Sequence, residues 1–269
     1  HICGGSMAPG PAFITADTCY ETNLRVSEGK MSSDEEWYYK RNACPSCGAC
    51  QYMGTASTMQ CLSEALGMSI PSNAVIPANS SMIMNIAYSA GEMVSEMVKN
   101  DIRPKDIMTK KAFENAIKVH AAIGGSTNAV LHIPAIAKEL DINIGLMDFE
   151  TYSKDVPLLT SLLTSGKWPT QFFWYAGGIP KIMLNLRDML HLDIPTVTGR
   201  TVGENLDYLE KTGYFRRSEE YLRNYGLKPS DIIKDINNPE DNDSGVAILK
   251  GNLAPEGAVI KHCALNKNM

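Results

Sequence analysis

The sequence predicts an α/β fold in which a layered, mainly parallel sheet is flanked by helices. Helical patterns of apolar residues alternate with short β-rich runs along most of the chain. Gly-Gly pairs recur as "GGSM", "GGST" and "GGIP", and two of them lead directly into a helical pattern. From about residue 244 the sequence becomes β-rich. We therefore expect a first domain of residues 1–243, and a second, β-rich and barrel-like domain that begins with residues 244–269.

Local signals place the first helices. "SSDEEW" is typical of a short capped helix. Ser57 with Gln60 fits a capping box, and Gly67 is a typical helix end. Apolar spacing then predicts helices over about residues 57–66, 82–98 and 111–122. Cys50 thus comes a few residues before a helix start.

The second half of the chain is punctuated by glycine. Gly124 and Gly125 end the third helix, and Ser126 or Thr127 caps the next one. "FFWYAGGIPKIMLNLRDML" is typical of a strand, a Gly-Gly turn and a helix with Pro180 at its first position. After a charged linker, β-rich runs over residues 246–249 and 258–261 predict a hairpin.

Composition excludes some classes of function. The 269 residues carry a net charge of -5 without a basic run, so we expect no nucleic-acid partner. No apolar stretch is long enough to span a bilayer, and we expect a cytoplasmic protein without a membrane role. Seven cysteines, an odd number in a long chain, favour reduced thiols or metal ligands over disulfides.

The segment "CPSCGACQYMGTASTM" places Cys44, Cys47 and Cys50 at a regular three-residue spacing. Three such thiols could serve an iron–sulfur or zinc site, but both kinds of site need a fourth ligand that the pattern lacks. Alternatively, Cys44 and Cys47 are small buried residues of a tight turn. Cys50 differs because the helix start beyond it would stabilise a thiolate.

A second candidate site is "GGSTN", which begins a helix. Ser126, Thr127 and Asn128 offer two hydroxyls, an amide and free backbone N–H groups, a set that suits a carboxylate or phosphate. The alternative is plain capping of the helix. His132, one turn into that helix, is either a packed side chain or a ligand or base. The other internal histidines, His120, His191 and His262, have no acidic or cysteine partner at a useful spacing.

Five motifs in a fixed order are more specific than any one segment. They are "CPSCGACQYMGTASTMQCLSEALGMSIP", "KKAFENAIKVHAAIGGSTNAVLHIPAIA", "FWYAGGIPKIM", "TVTGRTVGEN" and "LKGNLAPEGAVIK". This succession resembles the dihydroxy-acid and sugar-acid (aldonate) dehydratases, a family of iron–sulfur enzymes, over nearly the whole chain. The segment "MGTASTM" is more similar to the corresponding segment of the aldonate dehydratases than to that of the branched-chain pathway enzyme, where "GGMYTANTM" is common.

The resemblance implies an activity and its cofactors. In this family a 2,3-dihydroxy acid is dehydrated to a 2-keto acid: a base removes the C2 proton, and an iron of a [2Fe–2S] cluster acts as Lewis acid on the C3 hydroxyl. Mg²⁺ helps to hold the substrate. The substrate here would be an aldonate such as a pentonate, or a branched dihydroxy acid, and we expect a homo-oligomer, either a dimer or a tetramer.

The resemblance also implies site residues. Cys50 matches the cluster cysteine of the "G-[AS]-C" motif, whereas Cys44 and Cys47 match no ligand position. We expect Thr55 and Ser57, together with Ser126, Thr127 and Asn128, to face the substrate or Mg²⁺.

The rest of the site has no match in this sequence. The other ligands of the cluster and of Mg²⁺, and the catalytic base, are expected outside this chain, which we interpret as an inactive central fragment of a longer polypeptide. Two alternatives remain at this point: a non-catalytic metal-binding module using Cys44, Cys47 and Cys50, and a degenerate paralogue acting as an assembly partner.

Overall fold

The computed structural model describes residues 1–265 as a helix-rich chain that ends in a β-hairpin. The helices are α1 (Thr22–Ser27), α2 (Ser33–Asn42), α3 (Thr55–Ala65), α4 (Met82–Lys99), α5 (Pro104–Ile107), α6 (Lys110–Ala122), α7 (Ala129–Lys138), α8 (Leu146–Ser153), α9 (Thr170–Tyr175), α10 (Gly178–Asn185), α11 (Val202–Lys211), α12 (Tyr214–Arg223) and α13 (Pro229–Ile232). The strands are β1 (Ala247–Gly251) and β2 (Ala254–Ile260), and 3-10 turns cover Pro11–Phe13, Asp17–Cys19, Arg187–Met189 and His262–Ala264. Helices and strands are both present, as predicted, but helices dominate the described residues.

The helices predicted from periodicity are confirmed as α3, α4 and α6. The "SSDEEW" helix is confirmed as α2, where Ser32 Oγ accepts the Glu35 N–H and the Glu35 carboxylate accepts the Ser32 N–H at 2.8 Å. The capping box predicted at Ser57 is wrong. The helix begins two residues earlier, at Thr55, and Gly54 is its N-cap.

Helix α6 lies at the centre of the core. It packs against α3, α7, α8 and α10. Phe113 of α6 and Leu62 of α3 are fully buried. A hydrogen bond from the Ser126 N–H to Thr58 Oγ1, 2.9 Å long, ties the turn after α6 to the first turns of α3. The core therefore fixes the start of α3 beside the start of α7.

Helix α4, the longest helix among residues 1–265, lies on the surface. None of its residues is buried, and Tyr88 and Val98 are more than 70% exposed. The part of the chain that the structure describes contains no helix with both the length and the apolar composition needed to cross a membrane.

The strand predicted at "FFWY" is wrong, because these residues form helix α9. Phe172, Phe173 and Trp174 are all buried, since α9 packs against α10, α12 and α13. A short apolar run that is buried on every side has the same sequence pattern in a strand and in a helix. The helix α10 begins at Gly178, so Pro180 is its third residue and not its first.

The described residues show no layered parallel sheet. The opening segment of the chain makes only isolated parallel bridges, from Ser6 to Ala49 and to Pro77. Gly5 directly precedes Ser6, and Gly48 directly precedes Ala49. Their φ angles of +77° and +114° are not those of an extended strand. Left-handed backbone interrupts a strand, so the pairing does not extend into a ladder.

The predicted hairpin is confirmed, with longer strands than expected. Strands β1 and β2 pair antiparallel, and the register shifts between Leu249 and Gly251. The hairpin is fixed to the core because the Gly245 N–H donates to the Ala121 carbonyl at 3.1 Å. The charged segment before the hairpin, which the sequence predicts to be a linker, is packed into the core, because Ile232 and Ile233 are buried. Residues 266–269 of the predicted second domain lie outside the described residues.

Candidate functional site

Cys50 lies on a loop whose backbone is held firmly while its thiol is exposed. The Cys50 carbonyl accepts hydrogen bonds from Ser57 Oγ at 3.3 Å and from Thr170 Oγ1 at 3.5 Å. The next residue, Gln51, is fully buried, and its carbonyl accepts the Thr170 N–H at 2.7 Å. On the other side, Ala49 exchanges two backbone hydrogen bonds with the opening segment. The chain thus presents a free thiol at a fixed position.

Cys44 and Cys47 are exposed as well, so they are not the small buried residues of one interpretation. Cys47 Sγ lies 3.7 Å from the Ala78 carbonyl. Among residues 1–265, no three His, Cys, Asp or Glu side chains form a group that could hold a metal ion. The regular spacing of the three cysteines therefore does not gather their thiols around one point, and the structure gives no support to a self-contained metal module.

The starts of helices α3 and α7 meet through the side chains that the sequence singles out. Asn128 Nδ2 donates to Thr55 Oγ1 at 2.5 Å, and Thr55 Oγ1 lies 3.4 Å from Ser126 Oγ. The side chain of neither N-cap residue, Gly54 or Asn128, caps its helix, and the Asn128 N–H donates to Ser126 Oγ at 3.3 Å. The positive ends of two helices and three polar side chains thus lie together, and this arrangement suits an anion.

Two of the predicted substrate-facing residues lie differently. Ser57 is fully buried, and its hydroxyl donates to the Cys50 carbonyl, so it supports the cysteine loop from beneath. Thr127 is half-exposed beside Ser126, and its carbonyl accepts the Val130 N–H at 3.1 Å. Thr55, Ser126 and Asn128 therefore form the polar group, while Ser57 holds the neighbouring loop.

His120 is a site residue that the sequence did not reveal. It is 1% exposed, and its Nε2–H donates to the Ser126 carbonyl at 2.9 Å. Burial lowers the pKa of His120 to about 4, so the ring is neutral near pH 7. Its partner is a backbone carbonyl, which residue-type spacing cannot show. Gly125 is the sequence feature that could have indicated a close neighbour here, because a Cβ at this position would overlap the His120 ring.

The buried His120 predicts a pH dependence of stability. Its pKa is about 4 in the folded protein against 6.5 for an ordinary histidine, so the unfolded chain binds more protons between these values. The contribution of neutral His120 to the free energy of unfolding is complete above pH 6.5 and is lost as the pH falls toward 4. The difference between the two pKa values corresponds to a loss of stability on the order of 3 kcal/mol.

The test compares His120→Gln with the unmodified protein by urea unfolding at several pH values. The two proteins must be compared because Glu64 also affects the pH dependence of stability. Burial raises the pKa of Glu64 to about 8, so its contribution to the free energy of unfolding falls as the pH rises from 4.5 to 8. We expect the free energy of unfolding of the variant to fall less steeply with acidification. Parallel pH profiles for the two proteins would contradict the assignment.

His191 has an acidic partner that spacing along the sequence did not indicate. His191 Nε2 lies 2.6 Å from a carboxylate oxygen of Glu114, whose other oxygen accepts the Tyr152 hydroxyl at 3.0 Å. Glu114 and His191 are 77 positions apart in the chain. Local spacing cannot reveal a pair that only the tertiary fold brings together.

Lys261 is a second residue that the sequence did not identify, although it ends the quoted motif "LKGNLAPEGAVIK". It follows β2, is half-buried, and its Nζ donates to the Met53 carbonyl at 3.3 Å. Met53 lies between Cys50 and Thr55, so the hairpin reaches the cysteine loop. Segments from three parts of the chain, around Cys50, Ser126 and Lys261, thus meet in one place.

Two family models match this chain. The N-terminal model of the dihydroxy-acid/6-phosphogluconate dehydratases matches residues 1–205, and the corresponding C-terminal model matches residues 231–269. The first of these matches alone covers more than half of the chain.

Proteins named dihydroxy-acid dehydratase are similar to the chain over nearly its full length. Those of Acetivibrio thermocellus and Syntrophobacter fumaroxidans are 43% and 42% identical over 273 residues, which are 100% of this chain and 46% of each relative. That of Caldicellulosiruptor saccharolyticus is 39% identical over 269 residues, 98% of this chain and 46% of the relative. The chain spans about half the length of these curated relatives. With both family models matched, the chain belongs to the dihydroxy-acid/6-phosphogluconate dehydratase family.

Proposed function

We propose that this chain is part of a hydro-lyase that dehydrates a 2,3-dihydroxy carboxylic acid to the 2-keto acid. The substrate is an aldonate such as a pentonate, or a branched-chain dihydroxy acid. The observation that carries the proposal is the meeting of two helix starts, through Thr55, Ser126 and Asn128, beside the loop that presents Cys50. The positive end of a helix dipole attracts a carboxylate, and the family of the chain is one of dehydratases.

Cys50 is the proposed ligand of a [2Fe–2S] cluster. Its exposed thiol on a fixed loop fits one corner of such a site, and the described residues form no group of three or more His, Cys, Asp or Glu side chains that could complete it. The remaining ligands are therefore expected outside this chain. When bound, the cluster would supply a Lewis acid that assists departure of the C3 hydroxyl.

The residues of this chain bind and orient the substrate in the proposed site. Thr55 Oγ1 and Asn128 Nδ2 are held 2.5 Å apart, and Ser126 Oγ adds a third polar atom for the hydroxyls or carboxylate of the acid. The base that removes the C2 proton and the acidic ligands of Mg²⁺ are expected outside this chain. We also propose that the isolated chain is inactive and that a second domain begins at residue 244. A layered, mainly parallel sheet, a homo-oligomer and a cytoplasmic location belong to the same proposal.

The test is an assay of the purified full-length protein on a panel of acids. Branched-chain 2,3-dihydroxy acids and pentonates would be supplied separately, and 2-keto acid would be trapped with phenylhydrazine. We expect one class to be converted, and analogues that lack the C3 hydroxyl to give no product. A protein with its full content of iron and sulfide that converts neither class would contradict the proposal.

A further inference from the structure

Lys261 is a cation fixed at the edge of the proposed site. Its side chain ends at the Met53 carbonyl, with Nζ at 3.3 Å, two residues before Thr55. The chain after Lys261 is also held, because the Cys263 N–H donates to the Gly245 carbonyl at 3.2 Å. Both the backbone and the tip of Lys261 are thus positioned by the core and do not extend into solvent.

Lys261 forms no ion pair with a carboxylate within residues 1–265, and the ionisable group that acts on its charge there is the Cys263 thiol. The ion pairs of the described chain involve other lysines, arginines and one histidine. The neighbouring His120 is neutral near pH 7. Burial lowers the pKa of Lys261, and the Cys263 thiol opposes this effect without reversing it. A half-buried ammonium is costly without an anion. One carbonyl acceptor also leaves two of its three N–H donors available.

We propose that the Lys261 ammonium binds one carboxylate oxygen of the substrate, an assignment that rests on the proposed function. The helix starts with Thr55 and Ser126 bring two further positive ends to the same place. The carboxylate is the full negative charge that aldonates and branched dihydroxy acids share. Lys261 would thus anchor the common acid end of either substrate class, and residues elsewhere would distinguish the far ends.

The first experiment measures competitive inhibition of the full-length protein by 2-hydroxybutanoate and by its primary amide, 2-hydroxybutanamide. Neither compound has a C3 hydroxyl to lose. Lys261→Gln keeps a donor for the Met53 carbonyl but removes the charge, whereas Lys261→Arg keeps the charge. Lys250→Gln, on the exposed part of the same hairpin, is the matched control.

In Lys261→Gln we expect the inhibition constant of the acid to rise about tenfold to a hundredfold, since a hydrogen bond to a charged group is lost. The amide should bind as before. The substrate KM should rise more than kcat falls, and iron content should stay unchanged. Lys261→Arg and Lys250→Gln should retain acid binding. An unchanged constant for the acid, or equal weakening of acid and amide, would overturn the assignment and leave only a structural role for Lys261.

A second measurement needs no variant. Acetylation of Lys261 in the unmodified protein by an N-hydroxysuccinimide ester, followed by peptide mass spectrometry, should be slowed by 2-hydroxybutanoate and not by the amide, with Lys250 unaffected. Equal labelling with and without the acid would also overturn the assignment. If the unmodified protein converts 2,3-dihydroxy acids while these tests fail, the role of Lys261 alone is wrong. If it converts none, the proposed function is wrong.

Discussion

Replacing Gly125 by alanine is expected to destabilise the protein and to disturb the meeting of the two helix starts. A Cβ at this position would overlap the His120 ring, with Nε2 at 2.8 Å and Thr58 Cγ2 at 3.1 Å. These neighbours are fully buried and cannot move aside freely. Overpacking of this kind costs about 1–3 kcal/mol. Displacing the turn would also weaken the hydrogen bonds that Ser126 makes to His120 and Thr58, at about 1 kcal/mol each.

The measurement is urea unfolding of Gly125→Ala beside Gly91→Ala. Gly91 lies inside α4, and nothing stands within 4 Å of a Cβ built on it. Alanine favours helix over glycine by up to about 1 kcal/mol, so the control should be as stable as the unmodified protein or more so. A Gly125→Ala protein that matches the control in stability would contradict the packing around His120.

Local patterns predicted the elements that depend on local interactions. Helices α4 and α6 follow from apolar spacing, and the cap of α2 follows from Ser32 and Glu35, which bond to each other three positions apart. The hairpin follows from two β-rich runs around a turn of Gly, Asn and Pro. In each case the interacting residues are near neighbours in the chain, so the sequence contains the signal directly.

Tertiary burial explains where the sequence prediction fails. Helix α9 resembles a strand because Phe172 and Phe173 are buried on all sides, which removes the periodicity that separates the two structures. The partners of His120 and Lys261 are backbone carbonyls, of Ser126 and Met53. A carbonyl has the same chemistry in every residue, so residue type gives no indication of such contacts.

The candidate site was predicted in part. Thr55, Ser126 and Asn128 do come together, because glycines before both helices make their starts recognisable and the packing of α3 on α6 joins them. Ser57 was expected in the same group, yet the helix begins two residues earlier, and this turns its side chain beneath the Cys50 loop. A helix start predicted two residues too late is thus enough to assign a buried side chain to the site.

Replacing Cys50 by serine in the full-length protein is expected to abolish 2-keto acid formation without unfolding the protein. A serine hydroxyl is a much poorer iron ligand than a thiolate, so a cluster that depends on Cys50 would be lost. The fold should persist because the Cys50 side chain is exposed, and the hydrogen bonds from Ser57 and Thr170 are made to its carbonyl. We expect a change in the free energy of unfolding, measured on the metal-free proteins, within about 0.5 kcal/mol.

Cys44→Ser and Cys47→Ser are the matched controls, since both thiols are exposed on the same segment. The decisive measurement is the iron and acid-labile sulfide bound per full-length chain in the three variants. We expect Cys50→Ser to lose the cluster, while Cys44→Ser and Cys47→Ser retain the iron and sulfide of the unmodified protein. A full cluster in Cys50→Ser, or its loss with either control, would contradict the assignment of Cys50 as the ligand that this chain supplies.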